Sequence, residues 1–115
     1  MAHPNGLDAR TQSAVRAFLA RLAGQYDFTG AVLFGSRARQ AHRPDSDADV
    51  AVILHGAHQP FLDTKLAMAD LAYDVLLETG VLIQPLPIWE GEWNQPSMFT
   101  NPDLLQRIQI EGVWL

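Results

Sequence analysis

Apolar positions recur along this chain in two rhythms, and their alternation predicts an α/β order. Val15, Phe18, Leu19 and Leu22 return at steps of three and four, so residues 9–23 are predicted as a helix, with Asp8 as its N-cap and Gly24 as its stop. Ala31-Val32-Leu33-Phe34 is too short an apolar run for a helix and ends at Gly35, which predicts a buried strand over 29–34. Residues 36–40 read as one or two helical turns, and 42–46 as a loop, because Pro44 disfavours helix in the residue before it. A second strand is predicted over 49–54 and a turn over 56–60. A long helix over 61–79 follows, with Leu62, Leu66, Ala69, Tyr73 and Leu76 as its inward stripe and Gly80 as its stop. Residues 81–88 read as a third strand at a sheet edge, since Pro85 and Pro87 cannot donate ladder hydrogen bonds. Residues 91–98 read as a loop, and Asn101-Pro102-Asp103 opens a last helix with Leu104, Leu105 and Ile108 inward.

Composition narrows what such a chain does. Its 115 residues, 48% of them hydrophobic, fit one compact α/β domain spanning 1–115. A net charge of −5 argues against broad nucleic-acid binding, which needs a basic face to displace counterions. With no cysteine there is no disulfide, thiolate nucleophile or cysteine zinc site. The first residues lack a charged-then-apolar leader pattern, and no apolar run nears the ~20 residues that span a bilayer. The expectation is a cytoplasmic protein without a membrane segment.

The chemistry gathers between Leu33 and Val52. Gly35, directly after a strand, permits a tight turn and close backbone approach, while Ser36 offers a hydroxyl and N–H groups to an anion at the start of the predicted helical turns. Arg37 and Arg39 add guanidinium charge suited to a triphosphate. Asp47 and Asp49, one residue apart, project from the same face if both lie in extended backbone. That pair suits magnesium, which takes one or two protein carboxylates and completes its octahedron with water and phosphate oxygens. Gly-Ser alone marks many ordinary turns, and Asp-x-Asp alone is as unspecific. The strand, Gly-Ser, ten-residue spacer, Asp-Ala-Asp and second apolar strand together are far more specific.

That combination resembles the signature of the DNA polymerase β nucleotidyltransferase superfamily, and the short length is similar to its minimal nucleotidyltransferases. The resemblance implies a small mixed β-sheet flanked by helices. It implies transfer of a nucleoside monophosphate, typically AMP from ATP, to an acceptor hydroxyl with metal ions assisting. Gly35 and Ser36 match the phosphate-binding positions, and Asp47 and Asp49 the catalytic, metal-binding carboxylates. A third carboxylate usually stands on a later strand, and the best match here is Gln84, which is neutral and a poor general base. Minimal members often act as antitoxins of HEPN-domain ribonuclease toxins, some by attaching AMP to a toxin tyrosine, so a HEPN partner is the leading expectation. The alternatives are a module that neutralises its partner by contact alone and an antibiotic nucleotidyltransferase. The latter normally carries a further helical domain.

Other features carry less. His42 and Arg43 extend the basic cluster around Arg37 and Arg39, whose placement suits either phosphate contact or a solvated loop. His3, His42, His55 and His58 lack a paired metal spacing. Trp89, Trp93 and Trp114 are expected to pack against the sheet rather than form a partner face, and Tyr73 to lie in the core.

Overall fold

The computed structural model describes residues 6–115, and His3 lies outside them. In chain order the elements are α1 (Ala9–Ala23), β1 (Phe28–Phe34), β2 (Ala48–Leu54), α2 (Phe61–Thr79), β3 (Ile83–Trp89), α3 (Glu90–Asn94), α4 (Pro102–Glu111) and β4 (Val113–Trp114). The four strands form one mixed sheet in the order β3-β2-β1-β4. β1 runs antiparallel to β2 and to β4, whereas β2 and β3 are parallel, and α2 supplies the crossover connection that a parallel pair needs. β3 is an edge strand, where its two prolines cost no ladder bonds on the open side.

Strand alternation sorts the core into two layers. Leu33, Val50 and Val52 face α1 and α2 and pack with Phe18, Leu22, Met68 and Val75. Val32, Ala51, Ile53 and Ile88 face the other way, toward Phe99 and the α4 residues Leu105 and Ile108. α1 opens as the sequence predicts, with the Asp8 carboxylate accepting from the Thr11 N–H at 3.1 Å and the Thr11 hydroxyl at 2.6 Å. α2 ends at Gly80, whose φ of 78° is the left-handed conformation that glycine adopts without penalty, and its N–H donates to the Leu76 carbonyl. Trp89 is buried in the α1/α2 layer, and Trp93 and Trp114 meet edge-on at 5.7 Å on the other face. The tryptophans are packing residues, as expected.

Four sequence expectations are corrected. The stripe of α2 that reaches the core is Met68, Leu71, Ala72 and Val75, not Leu62, Leu66 and Tyr73, which are 63%, 57% and 57% exposed. Both stripes recur at helical spacing, so periodicity alone does not choose between them. Residues 36–40 form hydrogen-bonded turns without a regular helix: Arg39 N–H donates to the Gly35 carbonyl and Ala41 N–H to the Ser36 carbonyl. No helix dipole therefore backs Ser36. The third strand begins at Ile83, two residues later than expected, after Leu82 has accepted a bond from the Ala48 N–H. The stretch read as a loop over 91–98 holds α3 and a 3₁₀ turn at Pro96–Met98, and the Glu92 side chain accepts from the Trp89 N–H at 3.1 Å.

Candidate active site

β1 ends at Phe34 directly opposite Asp49, and Asp49 in turn lies opposite Gln84 on β3. Three adjacent strands thus bring Gly35, Asp49 and Gln84 to one end of the sheet. Gly35 has φ +76°, and a Cβ there would run into the Asp49 carboxylate. Glycine is required twice, for the turn and for the space the carboxylate occupies. Ser36 follows, half-buried, at the head of the turn.

Asp47 and Asp49 flank Ala48, whose side chain is fully buried. Asp49 therefore faces the α4 side of the sheet, with Ala51 and Ile53 behind it. Asp47 is exposed, and its Oδ2 accepts a hydrogen bond from the Gln84 amide at 3.1 Å. Burial pushes the Asp49 carboxyl above the usual carboxylate range, the nearby Asp47 charge pushes it further, and Arg39 works in the opposite direction. Both upward causes disfavour charge on Asp49, and a divalent cation beside the pair would relieve both. The residues fit a hard cation on that ground. Among the described residues no cluster of three or more His, Cys, Asp or Glu side chains could hold a metal, so other ligands would have to come from water or substrate.

A cavity of about 160 Å³ opens beside this cluster, lined by Gly35, Arg39, Asp49, Leu104, Arg107 and Glu111 among others. Arg39, which is exposed, lines it. Arg37 does not. Its side chain is 1% exposed and turned inward, donating from Nε to the Ser46 carbonyl at 2.9 Å, from Nη1 to the Thr11 hydroxyl at 2.9 Å and from Nη2 to the Pro44 carbonyl at 3.1 Å. The expected nucleotide contact at Arg37 is thus replaced by a structural role: it ties the spacer loop to α1. The reason lies in the turn, which carries side chains at 37 and 39 to different sides.

Arg107 and Glu111 were not legible as site residues. They sit four residues apart on one face of α4, and the packing of Leu105 and Ile108 on the sheet, followed by the pairing of β4 with β1, brings that face over the end of β1. His42 stands beside Asp8, 3.4 Å from its carboxylate, and His55 pairs with Glu90 at 3.0 Å; both are away from the cavity.

The family model for polymerase beta nucleotidyltransferases matches residues 19–85, more than half of the chain and the whole span from Gly35 to Gln84. Among solved structures, a crystal structure of a Sulfolobus solfataricus protein described as a nucleotidyltransferase aligns with a TM-score of 0.51 at 19% identity, covering 79% of this chain and 83% of that one. At that identity the likeness concerns the fold. No curated protein matches the sequence.

Proposed function

Because the chain belongs to the polymerase β nucleotidyltransferase family, we propose that it transfers AMP from Mg-ATP to a hydroxyl, a tyrosine of a partner HEPN-domain ribonuclease toxin, and so acts as that toxin's antitoxin in the cytoplasm. The observation that carries the reading is the convergence of Gly35, Ser36, Asp47 and Asp49 where β1 ends and β2 begins, with Arg39 on the adjoining cavity. Ser36 and the turn N–H groups would take phosphate oxygens, and Arg39 would offset their charge. Asp47 and Asp49 would hold magnesium, which when bound neutralises charge on the phosphates and polarises the phosphorus under attack. Asp49, held half-buried behind Gly35, fixes where that charge can sit, so most of the catalysis asked of this chain is positioning. The acceptor oxygen would bond to the α-phosphorus as the bond from that phosphorus to the α–β bridging oxygen breaks, pyrophosphate would leave, and the hydroxyl proton would pass to solvent, since the neutral Gln84 takes none. An acidic chain of this size favours a protein acceptor over a nucleic acid, which would call for a basic groove.

One observation favours a second reading. At the position where a third carboxylate is expected, Gln84 donates to Asp47 and supplies neither charge nor a base. That arrangement suits a nucleotide-binding module that neutralises its partner by contact. A transfer assay with labelled ATP and magnesium, read by intact mass, separates the two. Addition of AMP to the partner by the wild type and not by Asp47→Asn supports transfer. Complex formation and toxin inhibition without any mass gain supports contact alone.

A further inference from the structure

α2 is apolar on two opposite faces. Met68, Leu71, Ala72 and Val75 turn inward, and within the described residues the helix packs on α1 and β3. On the far side Leu62, Leu66, Tyr73 and Leu77 are 57% to 69% exposed. A surface helix needs only one apolar face to pack on its own domain, so a second, exposed apolar ridge on a small acidic protein marks an interaction surface.

The order of residues on that ridge narrows what covers it. With the exposed Ala69 and the half-buried Leu76, residues Leu62, Leu66, Ala69, Tyr73 and Leu76 alternate steps of four and three, the 3.5-residue spacing of a seam between two helices, and Leu77 stands at its edge. The seam runs about 20 Å along the helix. A straight helical occupant matches it, and a flat sheet or an irregular loop does not. Charge then discriminates between occupants. Along its flank stand Asp63, Asp70 and Asp74, with Glu78 already paired to Arg21 at 2.8 Å, against a single lysine, Lys65, in the whole helix. Two copies of α2 would bring two such acidic rows together, and an anionic membrane surface would repel the row as well.

We infer that the outer face of α2 is the docking surface for a helix of a different protein, one whose apolar seam is flanked by lysine or arginine. The seam lies on the α1/α2 side of the sheet, whereas Asp49 faces the α4 side. Docking therefore leaves the cavity open, and the inference does not depend on the nucleotide chemistry.

The probes are two synthetic peptides about three heptads long with the same leucine seam, one flanked by lysines and one by glutamates, each followed by fluorescence anisotropy. The wild type and Asp47→Asn bind the lysine peptide equally and more tightly than the glutamate peptide, and added salt weakens that binding. Leu66→Gln with Tyr73→Gln, both at exposed positions, weakens it at least about tenfold while the melting curve stays unchanged. Asp70→Lys with Asp74→Lys reverses the preference, a gain of binding that a misfolded chain would not give. Equal binding of both peptides, or binding that ignores the Leu66 and Tyr73 changes, overturns the inference. So does a wild-type dimer in sedimentation that Leu66→Gln dissociates, since the occupant would then be a second copy.

Discussion

Arg37 shows how one side chain decides whether the carboxylates are in place. Its guanidinium holds two carbonyls of the 42–46 loop and the α1 hydroxyl of Thr11, and that loop leads straight into Asp47. Lysine has neither the fork nor the reach to serve three separate acceptors. Arg37→Lys is expected to cost about 2–3 kcal/mol, as buried acceptors lose charge-assisted partners, and a urea unfolding curve measures it. A surface, phosphate-binding arginine would give almost no change in that curve. Gln84 invites the converse experiment. Gln84→Glu removes the amide that bonds Asp47 and adds a third negative charge opposite Asp49. Without magnesium the variant should melt below the wild type, because like charges are crowded together, and with magnesium it should gain more stability than the wild type does. Thermal melts with and without magnesium test this, and a loss of stability that magnesium does not restore would count against a cation at Asp47 and Asp49.

Among the elements, α4 does what its sequence does not announce. Leu105 and Ile108 are buried on the sheet, which was legible from spacing, yet the neighbouring face carries Arg107 and Glu111 to the cavity at Gly35 and Asp49. Local spacing says that a helix has an inner side; it does not say which strand end lies beneath the other side. β4 makes that connection, through two residues paired with Val32 and Leu33, and so short a strand has no pattern of its own. α2 illustrates the same limit, since its two apolar stripes are equivalent until docking on α1 and the sheet selects one. What was legible were the features with a local cause: the Asp8 cap, the Gly35 and Gly80 turns, the proline-marked edge strand and the closeness of Asp47 to Asp49. Arg107 is exposed, and its substitution should barely touch stability. Arg107→Ala is predicted to raise KM for Mg-ATP about three- to tenfold with little change in kcat, if its charge attracts the triphosphate without entering the transition state. Initial-rate kinetics over a range of Mg-ATP concentrations would show it, and a fall in kcat at constant KM would place Arg107 differently.

For the whole molecule, the site and the fold are coupled through Asp49, which the two-layer core holds half-buried at the end of the sheet. Its carboxyl is raised by burial and by Asp47, so the ionised form burdens the folded chain above the folded-state pKa, and the burden vanishes below the unfolded-state value. Asp49→Asn should therefore melt above the wild type near neutral pH without magnesium, with the difference fading as the pH falls into the carboxylate range. Ligand binding reverses the ranking. A ligand at a hundredfold excess over its Kd adds about 2.7 kcal/mol to the state that binds it, or roughly 10 °C for a chain of this length. The wild type should show such a shift with Mg-ATP, and Asp49→Asn should lose most of it. Because a cation needs the carboxylate deprotonated, the shift should shrink with falling pH, beginning above the ordinary aspartate value of 3.8. Melting curves over a pH series, with Mg-ATP and with EDTA, measure both effects in one experiment. A shift that persists undiminished in Asp49→Asn, or that ignores pH through the acid range, would separate nucleotide binding from the carboxylate pair.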